Sequence, residues 1–179
     1  MFSIPNSVLL VIDAQGHLAQ RMHEPSVLID RIALCIKAAK ILNLPIIYTE
    51  QVPEKLGKTK PVLSQLLHGI TPIEKTTFSC WESSKFIEKL RGITRQQIFV
   101  TGIEAHVCVF QTVSDLLKAN YKVQVVTDAV SSRTAENKMI AFERMENLGA
   151  ILTSTEMMAT ELIRGAGHPN FKEILGLIK

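Results

Sequence analysis

The 179-residue chain has only three cysteines and one tryptophan, and nowhere three consecutive Lys or Arg residues. An odd, low cysteine count excludes a disulfide scaffold and points to a reducing compartment. The basic residues are scattered, and 20 Lys+Arg against 17 Asp+Glu leave a net charge of only +3. That pattern lacks the electrostatic footprint of a nucleic-acid binder. No apolar stretch approaches the roughly 18 residues that a membrane span needs. Residues 1–7 lack a basic region, and the apolar run 8–12 is too short for a signal-peptide core. His23, His68 and His168 show no ligand-like spacing, and His17, just after Asp13, reads as a solvated loop residue with ligand contact as the alternative. Gly165 and Gly167 build no phosphate loop, because GxGxxG after a strand and GxxxxGK[ST] are both missing. With 46% apolar and 21% charged residues, the composition also excludes disorder. The expectation is a cytoplasmic, globular protein with one domain over residues 1–179, no nucleic-acid or membrane partner and no cofactor.

Short β-branched runs alternate with longer helical patterns. Residues 7–13, apolar on both faces, read as a central parallel strand. Residues 45–49, 97–101, 122–127 and 150–153 read as further strands, and 70–76 as a poorer one that Pro72 demotes to an edge or a late start. Pro25 opens a helix in which Val27, Leu28, Ile32, Cys35, Ile36 and Ala39 recur at helical steps, so Cys35 is a core residue. Residues 61–68 form a short helix, and 83–90 a helix with Phe86, Ile87 and Leu90 inward. A helix over 105–118 turns Val109, Phe110, Val113, Leu116 and Leu117 inward. Thr134 caps another with Met139, Ile140, Met145 and Leu148 inward, stopped by Gly149. Two last helices cover 155–164 and 170–178. This alternation implies right-handed crossovers and a parallel sheet covered on both faces. Ligands of such sheets lie beyond the carboxyl ends of the strands.

Three strand ends carry reactive groups. Asp13 closes the first strand in LLVIDAQ, and Lys75 ends the third in IEKTTFSCW. Cys108 lies six residues beyond Gly102 in TGIEAHVCVFQT, in the first turn of the helix after the fourth strand. A helix start and a nearby Lys both lower a thiol pKa, and the thiolate is the nucleophile. Asp13 can take the thiol proton and return it to a leaving amine, with Lys75 holding Asp13 in place. Free amides at the helix start can stabilise an oxyanion. Each residue also has an ordinary role: an Asp caps a loop, a Lys is solvated, a Cys packs a core. Spacing alone leaves these open.

The ordered blocks VIDAQ, TEQVPEKLGKT, EKTTFSCW, GIEAHVCVFQT and TDAVSSRT resemble the isochorismatase-like hydrolase superfamily, the cysteine hydrolases. The resemblance runs from Val8 to Lys179 and is closest to the isochorismatase domain-containing proteins. It implies a Rossmann-like three-layer α/β/α fold with a six-stranded parallel sheet of order 3-2-1-4-5-6. It also implies an Asp13–Lys75–Cys108 triad and a non-proline cis peptide at Ile103–Glu104. By the same resemblance, the amides of Glu104 and Cys108 form the oxyanion hole, and Gln15 and Phe78 line the substrate pocket. Metal-dependent nicotinamidases of this superfamily carry Asp and His ligands after the second strand. TEQVPEKLGKT has neither, so no metal is expected. Members that cleave the isochorismate vinyl ether lack the cysteine, whereas Cys108 is present here.

The expected chemistry is therefore cleavage of a C–N bond in a small amide or carbamoyl compound through a Cys108 thioester. Hydrolysis of an ester or vinyl ether, and a low-turnover binding protein on the same fold, stand as alternatives. Relatives of this kind are commonly dimers or larger, so a homo-oligomer is expected. His106 invites a Cys–His dyad reading, but residues two apart at a helix start point in different directions. Cys80 and Trp81 either wall the pocket or only pack.

Overall fold

The computed structural model describes residues 1–178; Lys179, the last residue of the expected domain, lies outside them. The first half runs β1 (Ser7–Ile12), α1 (Gly16–Gln20), α2 (Pro25–Ile41), β2 (Ile46–Gln51), α3 (Pro53–Leu56), α4 (Pro61–Leu66) and β3 (Ile73–Lys75). The second half runs α5 (Ser84–Ile93), β4 (Gln97–Ile103), α6 (Phe110–Lys118), β5 (Lys122–Ser131), α7 (Ala135–Asn147), β6 (Ile151–Thr153), α8 (Thr155–Ile163) and α9 (Phe171–Ile178). One turn of π-helix, Ala105–Val109, joins β4 to α6.

All strand pairings are parallel, and the sheet order is β3-β2-β1-β4-β5-β6. The central strand explains the layering. Side chains alternate across a strand, so Leu9 and Val11 pack with α2, α8 and α9 on one face. Val8, Leu10 and Ile12 pack with α5, α6 and α7 on the other. All six residues of β1 are buried, as expected of a strand covered on both sides.

β3 begins at Ile73, directly after Pro72, whose missing N–H cannot join a ladder. α1 and α3 occupy stretches that lack any long apolar period. β4 and β5 both extend further than their apolar runs. Between Val100 and Gly102 the β4–β5 register jumps from Val125 to Val130, and Ile103 then pairs with Ser131. This excursion carries β5 past the carboxyl edge of the sheet. On α7 the buried stripe is Ala141, Phe142 and Met145; Met139, Ile140 and Leu148 are exposed, contrary to expectation. Both stripes satisfy the same helical period, and the small Ala141 favours close approach to the sheet. Val27 is likewise exposed at the start of α2.

Gly102 governs the local geometry beside Asp13. Its φ is +113°, and a Cβ there would sit 2.0 Å from the Ile12 carbonyl oxygen. Only a residue without a side chain lets β4 pass β1 at that point.

Candidate active site

Asp13 leaves β1 with φ +49°, a left-handed conformation that Asp tolerates better than most residues. Its amide donates to the Thr49 carbonyl at 3.2 Å, keeping it beside β2. This aims the carboxylate across the ends of β2 and β3. Asp13 Oδ1 accepts from Thr49 Oγ1 at 2.7 Å, and Oδ2 accepts from Lys75 Nζ at 2.7 Å. Both side chains of the ion pair are buried, at 2% and 0% exposure.

The Lys75 ammonium has three further acceptors: Gln51 Oε1 at 2.6 Å, and the carbonyls of Thr77 at 3.1 Å and Phe78 at 3.3 Å. Burial alone would push the Lys75 pKa down, but Asp13, with smaller contributions from Cys80 and Cys108, raises it. The ammonium therefore stays charged, as a buried ion with a full set of partners should.

Cys108 sits in the π-turn and is 7% exposed. The Asp13 carboxylate is close enough to act on its thiol through charge. The Cys108 pKa is pushed well above the thiol range, first by burial and then by Asp13, which together outweigh Lys75. This corrects the expectation of a lowered thiol pKa. The helix start and the ammonium are present, but desolvation and the Asp13 carboxylate dominate. The resting site is thus a neutral thiol beside a carboxylate–ammonium pair. A neutral thiol becomes a nucleophile only as its proton leaves, and a carboxylate is a group that can accept one.

Three other expected positions lie around this centre. The Ile103–Glu104 peptide is cis. The amides of Val107 and Val109 both donate to the Glu104 carbonyl, at 3.0 and 3.2 Å, and the Cys108 amide falls between them in the turn. Gln15 is fully buried, but its side chain is committed to the loop: Nε2 donates to the carbonyls of Gln51 and Gly57, and Oε1 accepts from the Gln51 amide at 2.6 Å. Phe78 is 54% exposed, with its carbonyl on Lys75.

His106 turns to Ser132, with Nδ1 2.9 Å from Ser132 Oγ. Cys80 is buried 3.9 Å from Thr49 Oγ1, and burial, with Asp13 adding to it, pushes its pKa up to about 11. Trp81 packs edge-on against Tyr121. Glu50, near the end of β2, accepts from both the amide and hydroxyl of Thr59 at 2.7 Å.

Thr49 and Gln51 escaped the sequence reading. The signal was the period-2 spacing of two polar residues at the end of a strand next to β1, which puts both on one face. A groove of about 1090 Å³ lies elsewhere, at the amino ends of β2 and β3 and along α5.

The isochorismatase domain profile matches residues 7–157. "Isochorismatase domain-containing protein 2" of Danio rerio is 38% identical over 177 residues, covering 98% of this chain and 88% of that protein. The solved MAR1 ribonuclease from Caenorhabditis elegans superposes with a TM-score of 0.93 at 42% identity, over 99% of this chain and 91% of the other. YcaC from Pseudomonas aeruginosa, solved with hexane-2,5-diol and covalent acrylamide, superposes with a TM-score of 0.92 at 23% identity, over 98% of this chain and 90% of the other.

Proposed function

The chain belongs to the isochorismatase family, and on that premise we propose that it is a cysteine hydrolase cleaving a C–N bond of a small amide or carbamoyl compound. One observation carries the reading. The Asp13 carboxylate holds the Lys75 ammonium at 2.7 Å and stands close enough to the Cys108 thiol to raise its pKa.

Cys108 Sγ attacks the carbonyl carbon as Asp13 takes its proton. The amides of Glu104 and Cys108 receive the oxyanion. Collapse of the tetrahedral adduct breaks the C–N bond, and Asp13 returns the proton to the departing nitrogen. Water then enters, loses a proton to Asp13 and attacks the thioester. The thiolate leaves and recovers that proton. Lys75 stays protonated throughout and orients Asp13. Phe78, exposed beside Lys75, contacts the substrate; Gln15 acts on the pocket by pinning the loop that follows β2.

The near-complete burial of Asp13, Lys75 and Cys108 supports a small substrate. The ribonuclease name of the Caenorhabditis elegans structure favours a second reading, cleavage of RNA. A buried triad and dispersed positive charge argue for the small molecule in this chain. Exposed Met139 and Ile140 on α7, with Leu148 and Ile151 nearby in sequence, support self-association.

The test is a panel of small amides, carbamoyl compounds, esters and vinyl ethers beside single-stranded and duplex RNA, run with wild type and Cys108→Ala. Amide turnover that vanishes in Cys108→Ala supports the reading. RNA cleavage without amide turnover contradicts it.

A further inference from the structure

We propose that Arg133 and Ser132 are positioning residues that hold the turn bearing Cys108, and with it the two amides that receive the oxyanion; this rests on the cysteine-hydrolase reading above. The register jump in β5 makes the arrangement possible. Because Ile103 pairs with Ser131, the next two residues of β5's exit loop stand directly beside Glu104.

Both tethers start from that loop. Arg133 Nε donates to Glu104 Oε2 at 3.0 Å, and the Arg133 amide donates to the same oxygen at 3.3 Å. The second bond ties the carboxylate to main chain, so it does not depend on a mobile side chain. Ser132 Oγ meets His106 Nδ1 at 2.9 Å. Residues 104 and 106 are thereby fixed at the head of the turn. Glu104 is also the residue on whose carbonyl the turn closes, through Val107 and Val109. A rotation at Glu104 would displace its own amide and the Cys108 amide together.

The loop is itself anchored. The Ser131 hydroxyl donates to the His23 carbonyl at 2.8 Å, and the His23 amide donates to the Ser132 carbonyl at 2.7 Å. The ties bind the head of the nucleophile's turn, the β5 exit and the segment before α2 into one unit. None of these bonds involves Asp13, Lys75 or the Cys108 thiol. Arg133 and Ser132 thus act on where the oxyanion is received, and leave the proton transfer alone.

Two thiol reagents of similar size separate those functions. With acrylamide, Sγ bonds to the terminal carbon, the π electrons move towards the carbonyl oxygen, and the thiol proton, carried by Asp13, ends on the α-carbon. Negative charge therefore develops on oxygen. With iodoacetamide, Sγ bonds to carbon as iodide leaves with the C–I electrons, the proton goes through Asp13 to solvent, and the oxygen gains no charge. Both rates are read at Cys108 by intact mass on the full chain.

Loss of one oxyanion donor costs about 10²–10³ in rate, so misplacing donors in Arg133→Gln and Ser132→Ala should slow acrylamide addition by roughly tenfold or more. Iodoacetamide should change by less than about twofold, and Arg133→Lys should recover part of the acrylamide rate. Thermal melting confirms folding; Ser132→Ala, the mildest change, provides the test should Arg133→Gln fail to fold. Equal slowing of both reagents, or no change in either, overturns the proposal. Failure of both reagents to label wild-type Cys108 overturns the nucleophile reading itself, and the positioning role with it.

Discussion

Asp13 Oδ2 and Lys75 Nζ lie 2.7 Å apart with both side chains almost completely buried, although 62 residues separate them in the chain. Two ions removed from water hold each other, and each has a further partner on β2: Thr49 Oγ1 donates to the carboxylate, and the ammonium donates to Gln51 Oε1. In the proposed mechanism the pair is the fixed frame beside the Cys108 thiol.

Removing one partner leaves the other charge buried and alone. Lys75→Met is expected to lower stability by about 3–5 kcal/mol, read by urea unfolding, and to abolish amide turnover. Adding Asp13→Asn to Lys75→Met should recover part of that stability, because the stranded carboxylate is gone. Additive losses in the double variant would contradict a coupled pair.

The thiol is protonated at rest, because burial and then Asp13 raise its pKa. Iodoacetamide labelling of Cys108 should therefore show no plateau near neutral pH and should keep accelerating above the ordinary thiol value of 9.0. Replacing Asp13 by Asn removes the neighbouring charge and shifts the profile to lower pH. A wild-type profile levelling off near pH 7 would show a preformed thiolate instead.

Alkaline pH should loosen the fold in a defined window. Burial, countered in part by a hydrogen bond with Thr155, pushes the Cys35 thiol up to about 12 from its ordinary 9.0. A pKa raised in the folded state means that its stabilising contribution is complete below pH 9.0 and is lost as pH rises towards 12. In Cys35→Ala the dependence of unfolding free energy on pH in that window should weaken by about one proton. An unchanged slope would exclude Cys35 as a contributor.

Gly102→Ala should be severe. The added methyl meets Ile12 backbone at 2.0–2.7 Å, and backbone at both positions is fixed by the sheet. A loss of about 3 kcal/mol or more, or failure to fold, is expected by thermal melting. Normal stability would mean that β1 and β4 can separate here, and that Asp13 is less rigidly placed than its hydrogen bonds imply.

Much of this was legible in the residues. The fully apolar run before Asp13 marked the central strand, and strand ends indicated where Asp13, Lys75 and Cys108 would lie. Their meeting was not legible from spacing, because it depends on crossovers that bring residues 13, 75 and 108 together. Resemblance supplied that step, together with the sheet order and the cis peptide. What stayed hidden had physical causes. The thiol pKa depends on burial and on which neighbouring charge prevails, and neither has a sequence signature. Met139 and Ile140 share helical periodicity with the true stripe of Ala141, Phe142 and Met145, so period alone cannot choose the face. The exit of β5 beside Glu104 follows from a register shift that no apolar pattern announces.

The central claim is that Cys108 carries the acyl group during hydrolysis, and rapid-quench intact-mass analysis of wild type with the amide and carbamoyl panel tests it most directly. The account predicts a transient mass increase equal to the acyl fragment, mapped to Cys108, lost in Cys108→Ala and lengthened in lifetime when Asp13 is replaced by Asn. Amide turnover that persists in Cys108→Ala, or turnover in wild type with no adduct at Cys108, would contradict it.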